Sequence, residues 1–225
     1  MIIRTRRLRT ALAALAVVLP GGLRRVVHTR LLGYELHPTA TIGRSMVDVD
    51  QLVMGERARI GHLVLIRGCE EVRLGPGALI HMLVWINSVR AEKGYFRDQP
   101  RRPALLMGAE TLISALHFID ACDLVQLDDF SALAGVGSIV QTHAVDIDRM
   151  RQSSAPIRIG HHAMVASRAV LLPGAEVPDR SVVAAGAVVS RKLEGHHVFA
   201  GVPAKAVRDL DPEAAFFVRD TSQIW

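Results

Sequence analysis

Residues 159–189 read IGHHAMVASRAVLLPGAEVPDRSVVAAGAVV, and within them Ile159, Val165, Leu171, Val177, Val183 and Val189 fall every six positions. A six-residue period matches neither the 3.6-residue turn of an α-helix nor the two-residue alternation of strands joined in hairpins. It suits a short strand followed by a tight corner, three of which close a triangular coil of about 18 residues. Small residues recur four places after the aliphatic one (Ala163, Ala169, Ala175, Ser181, Ala187), where a corner leaves little room for a side chain.

The same beat runs upstream. Ile42, Met54, Ile60, Ile66 and Val72 keep step with Asp48 as the one failure, then Leu74, Ile80 and Ile86, then Met107, Ile113 and Ile119, then Leu127, Leu133 and Ile139. An all-β solenoid is therefore expected over 37–208, with each coil stabilised by stacking on its neighbours. Two stretches leave the rhythm, near 87–106 and 145–156. Residues 1–36 read as a basic amphipathic helical segment, and 209–225 as a short C-terminal helical tail that offers Phe216, Phe217 and Trp225 for docking.

Composition narrows the function classes. Half of the 225 residues are hydrophobic but only 4% are aromatic, so the core is aliphatic. The net charge of +5 is unevenly placed: residues 1–34 carry seven arginines and no acid, which leaves the rest of the chain near balance. Nucleic-acid binding is not expected, because the repeat region lacks a basic groove with stacking aromatics. The apolar run ALAALAVVLP from Ala11 is too short to span a bilayer, which takes about 20 residues. It resembles the core of a secretory signal, but PGGLRRVVHTRLLGYEL follows it without a small-residue cleavage site. Two readings stay open: helices on the membrane face with arginines among the headgroups, or a helix capping the open end of the core. Cys69 and Cys122 are the only cysteines and read as buried small hydrophobes, which fits a reducing compartment.

The first interruption, NSVRAEKGYFRDQPRRPALL, carries Arg90, Lys93, Arg97, Arg101 and Arg102 with Tyr95 and Phe96, a composition suited to an anionic or sugar-bearing ligand. The second follows His143, in THAVD, and ends at APIRIG. Together with the hexad repeat and the later GVPAKAVR (Gly201 to Arg208), these features resemble the hexapeptide-repeat acyltransferases, in particular the sugar and polysaccharide O-acetyltransferases. The resemblance implies a left-handed parallel β-helix, a homotrimer with sites between subunits, and acetyl-CoA or another acyl-CoA as the donor. It also implies a sugar or glycan acceptor, which a lipid-linked precursor would satisfy, and no metal. The expected location is cytoplasmic, with contact at the inner face of the cell membrane through residues 1–30 left open.

In that family a loop at this depth follows an active-site histidine, so His143 is expected to be the general base. The chemistry is reasonable: a hydroxyl is a poor nucleophile near neutral pH, and one base removes its proton as it attacks an already activated thioester. A base histidine needs an acceptor on its other nitrogen. Asp146 is the first expectation for that acceptor, with Asp148, Asp123 or a backbone carbonyl as alternatives. His117 and Asp120 are expected to line the acceptor pocket across a subunit interface. The resemblance implies a groove for the pantetheine arm between C-terminal coils, where Ala166, Ser167, Ala185 and Gly186 are small enough for its close approach and Arg191 and Lys205 are expected to meet the phosphates. Two other readings use the same solenoid: a γ-carbonic-anhydrase-like metal site, which needs three converging histidines, and a non-catalytic scaffold.

Overall fold

The computed structural model describes residues 2–3, 5–90, 94–96 and 99–221. The hexads build a three-sided prism of parallel strands, with two seven-stranded faces and one nine-stranded face. On the first face Leu36, Met54, Leu74, Met107, Leu127, Ile159 and Val177 stack in register. On the second face Ile42, Ile60, Ile80, Ile113, Leu133, Val165 and Val183 do the same. The third column is Val47, Ile66, Ile86, Ile119, Val140, Leu171 and Val189. These three columns fill the interior, and most of their members are fully buried. At a rung spacing of about 4.8 Å each aliphatic side chain lies on the one below, so the core is a pile of like-sized groups.

Corners decide where glycine is obligatory. At Gly61 an added Cβ would run into the backbone carbonyl oxygen of His81 on the next coil, so the coils approach too closely for any side chain.

The third column corrects the expected register twice. Asp48 breaks the sixfold beat because Val47, five residues after Ile42, is the inward residue. Likewise Val140, and not Ile139, stacks on Ile119, while Ile139 turns outward at 42% exposure. The extra residue is absorbed between Leu133 and Val140, where the ladder shifts register opposite Ala115 and Gly135 and Gly137 adopt left-handed φ of 69° and 75°.

Helix α1 (Arg6–Ala16), helix α2 (Gly21–Val26) and a π-helical turn (Val27–Leu31) cover the first coil. Three of the arginines expected among lipid headgroups are spent inside this cap. Arg9 donates to the carbonyls of Ile3, Leu32 and Val49. Arg24 donates to Ala16, Leu19 and Ile42, and Arg25 to Leu36, His37 and Ala40. An exposed end of a β-solenoid has unpaired carbonyls, and charged donors satisfy several at once.

At the other end the expected helical tail is not found among the described residues. His197–Ala200 and Lys205–Asp209 pair as an antiparallel hairpin, and residues 211–219 run as turns that bury Phe217. Arg219 stacks on the Phe216 ring, 4.0 Å from its centroid, and donates to the Phe130 carbonyl. Trp225 lies outside the described residues.

Candidate active site

Asp120 ends the third-face strand Phe118–Asp120, and Gln141 stacks on it from the coil above. The chain then leaves the prism at Thr142 and His143. One carboxylate organises this exit. Oδ2 of Asp120 accepts from the backbone N–H groups of Thr142 at 3.0 Å and His143 at 3.1 Å, while Oδ1 accepts from the Cys122 N–H at 3.2 Å. The same Oδ2 lies 2.5 Å from Nδ1 of His143. With Nδ1 donating to a carboxylate, the neutral ring carries its lone pair on Nε2.

The electrostatics follow from that pair. The Asp120 hydrogen bond raises the His143 pKa above its ordinary value, against the opposing pull of partial burial. Burial alone would raise the Asp120 pKa, but the hydrogen bonds from His143 and Cys122 outweigh it and hold the group below the usual range. The imidazole is also braced from the first insertion. Phe96 meets it edge-on with centroids 5.8 Å apart, and Arg101 lies 4.4 Å over the Phe96 ring while donating to the Cys122 carbonyl at 2.8 Å.

Several expected roles move to other residues. Asp146 does not face His143: residues 143–146 form one arm of an antiparallel hairpin with Arg151–Ser154, which carries Asp146 three residues outward, roughly 10 Å at strand rise. There it accepts the Arg149 N–H at 3.0 Å and pairs with the Arg149 guanidinium at 3.2 Å. Asp123 ties down the loop bases, accepting from Arg102 N–H, Leu124 N–H and the Ser154 hydroxyl. His117 is completely buried in its own subunit, with Nδ1 accepting from the Ser138 N–H and Nε2 bonded to the Ser114 hydroxyl. Burial lowers its pKa to about 4. It is a corner residue and cannot line a pocket across an interface. Asp120, expected in the acceptor pocket, lines the groove and also holds the His143 ring.

The basic groups of the first insertion are engaged within the chain. Arg90 pairs with Asp48 and Asp50, and Arg102 with Glu71. Lys93 and Arg97 lie outside the described residues.

Beside the dyad a groove of about 290 Å³ runs along the third face. Its two walls are successive register columns: Trp85, Phe118 and Ile139 form an apolar wall, and Asn87, Asp120 and Gln141 a polar one. The candidate donor residues sit at the opposite edge of this face. Ser167 accepts the Val136 N–H on its hydroxyl, Gly186 donates to the Ser167 carbonyl, and Gly186 has a φ of 72°. Ala166 and Ala185 belong to the same two corners. Lys205 and Arg191 are exposed beyond them.

The donor atoms of Asp120, Cys122 and His143 lie within 4.8 Å of one another, a grouping a metal could use. The chemistry of the set favours protons instead: burial and the Asp120 carboxylate push the Cys122 thiol up to about 12, and Nδ1 of His143 is already engaged. His117, one histidine the alternative metal reading would call on, is sealed in its corner, and His162 stacks on Phe130 at another.

No protein-family model matches the chain. The polySia-specific acetyltransferase NeuO superposes on it with a TM-score of 0.53 at 18% identity, covering 78% of this chain and 81% of its own. The shared architecture is the left-handed parallel β-helix. The six-residue repeat of this chain builds the coils of that architecture. Curated proteins similar to parts of this chain are named acetyltransferases. The galactoside O-acetyltransferase of Escherichia coli is 34% identical over 68 residues, 30% of this chain and 34% of its own length. The 2,3,4,5-tetrahydropyridine-2,6-dicarboxylate N-acetyltransferase of Enterococcus faecalis is 44% identical over 59 residues, 26% of this chain and 25% of its own. The hexapeptide-repeat chain thus spans about a third or less of these two relatives.

Proposed function

We propose that the protein transfers an acetyl group from acetyl-CoA to a hydroxyl of a sugar or glycan, directly and without a covalent acyl-enzyme. The observation that carries this reading is the His143–Asp120 pair opening onto a groove with one apolar and one polar wall. Asp120 holds the ring so that Nε2 takes the hydroxyl proton as the oxygen attacks the thioester carbonyl. The tetrahedral oxyanion is met by a backbone N–H, and the thiolate leaves without needing an acid. The groove walls suit a sugar, whose ring has an apolar face and a rim of hydroxyls. The galactoside and the polySia in the names of two similar proteins support a sugar or glycan as the acceptor class.

The same reading places the site between copies in a homotrimer. One corner of the prism carries Leu63, Leu83 and Leu116 in the left-handed region, each 44–62% exposed. On the same three coils the equivalent slot at another corner holds Arg57, Gly77 and Glu110. An exposed leucine ridge beside Trp85 and Phe118 is what a neighbouring copy would cover. The groove would then become a cleft.

Purified full-length protein should release thiol from acetyl-CoA in the presence of a suitable member of a sugar and oligosaccharide panel, and His143→Ala should abolish the release. Unimpaired turnover in that variant defeats the mechanism.

A further inference from the structure

The end of the prism that α1 and α2 close has an outer surface unlike a solvated cap. On α1, Leu8, Ala11 and Leu15 fall at i, i+3 and i+7, opposite the buried Ala13 and Ala16. Val18, Leu23 and Val26 extend the apolar area across to α2. The five large residues are 47–74% exposed. A helix that only plugged a solenoid would have an apolar inner stripe and a polar outer one; α1 is apolar on both.

The chain segment that forms this surface carries charge of one sign, and the neighbouring Asp50 is taken up by Arg6 and Arg90. Residues 1–34 contain no acid. Arg9, Arg24 and Arg25 turn inward to backbone carbonyls, but Arg7 and Arg30 are exposed. No helix among the described residues is long and apolar enough to cross a membrane.

We propose that this end face docks on an anionic lipid bilayer, with Leu15, Val18, Leu23 and Val26 in the acyl boundary and Arg7 and Arg30 at the headgroups. A second copy packed end to end would bring two acid-free, arginine-bearing segments together, so like charges argue against that occupant. Docking would stand the prism upright on the membrane. His143 follows Val140, four rungs above Val47, or roughly 19 Å at 4.8 Å per rung, with a helix layer of about 10 Å beneath. On the acetyl-transfer reading, the acceptor hydroxyl reaches the dyad at the end of an extended glycan and not at a headgroup.

The test sediments the full chain with phosphatidylcholine vesicles made with and without phosphatidylglycerol. Binding is expected only with the anionic lipid, weakening as salt is raised. Arg7→Gln with Arg30→Gln should weaken it about 25-fold, at about fivefold per arginine. Leu15→Gln with Leu23→Gln should abolish it while melting temperature and thiol-release activity stay at wild-type values. The arginine pair, on exposed positions, keeps the test decisive if the leucine pair lowers the melting temperature. A wild-type chain that stays in the supernatant, or binds neutral vesicles equally well, overturns the proposal. So does a doubled assembly mass in light scattering that the leucine substitutions reverse, which would make a second copy the occupant. The sedimentation and light-scattering readouts do not depend on acetyl transfer.

Discussion

Nδ1 of His143 and Oδ2 of Asp120 stand 2.5 Å apart although 23 residues of chain separate them. The contact exists because Asp120 and Gln141 are rung neighbours, and His143 lies two residues past Gln141. Most of the carboxylate's remaining capacity is used by backbone N–H groups of the same exit turn. Its position is therefore set by the fold before any ligand arrives.

That arrangement predicts a specific pH dependence. On the proposed reading His143 accepts a proton only when neutral, so the rate of transfer should rise with pH through a value above the ordinary 6.5 of histidine. Asp120→Asn removes the carboxylate that raises this pKa, so the acid limb should move to lower pH. The maximal rate should also fall by about tenfold or more, because an amide no longer enforces the Nδ1–H tautomer. His143→Ala should cost about 10²–10⁴-fold. A pH–rate profile of kcat for each protein checks all three, and an unmoved acid limb in Asp120→Asn contradicts the pairing.

The cap arginines predict a stability effect without a catalytic one. Arg24→Met keeps the apolar stem and removes donors to Ala16, Leu19 and Ile42. A buried carbonyl left without its donor costs about 1–3 kcal/mol and a partly buried one less, so with one buried and two partly buried the loss should be near 3 kcal/mol by urea denaturation. Hydrogen exchange should quicken first in the helices and the first coil, because a solenoid frays from an uncapped end.

Assembly is checked by charge. Leu83→Glu with Leu116→Glu puts two carboxylates on the exposed leucine ridge, where a neighbour would have to bury them unpaired. Light scattering should show a trimer for the native chain and a monomer for the variant. Acetyl transfer should fall with it, although His143 and Asp120 are untouched.

The prism is legible in the sequence because the inward column is a local rule: one aliphatic per six residues, with room for little else at the corners. His143 is legible by its position where that rule stops. What escapes depends on one-residue slips. The bulge at Gly135–Gly137 adds a residue, so a strict count of six puts Ile139 inside and misjudges what lies beneath His143. Asp146 attracts attention by nearness in sequence, yet the hairpin carries it away, while Asp120 comes from a full coil below. The doublet Gly135-Val136-Gly137 is the available signal, since glycines flanking one residue at a corner mark an irregular turn. The inward use of Arg9, Arg24 and Arg25 has no such signal, because composition counts charges without saying which way they face.

The buried histidines predict how folding itself responds to acid, and the sign differs from that of His143. Burial lowers His117 from 6.5 to about 4, and burial with Arg24 lowers His28 to about 4. Both rings are neutral in the fold, so their contribution is complete above 6.5 and is lost as pH falls from 6.5 toward 4. His143 is raised and works the other way, contributing below 6.5 and losing its effect as pH climbs through its folded value. With His162 also lowered by burial, three lowered rings against one raised give a net fall in stability on acidification, with a slope of up to about 1.4 kcal/mol per pH unit for each fully buried ring. His117→Gln can still serve Ser114 and Ser138 by hydrogen bonding but cannot take up a proton. Chemical denaturation at pH 7 and pH 5 should therefore show a shallower loss in this variant than in the native chain. An equal loss would mean that the ring at position 117 is not held neutral by its corner.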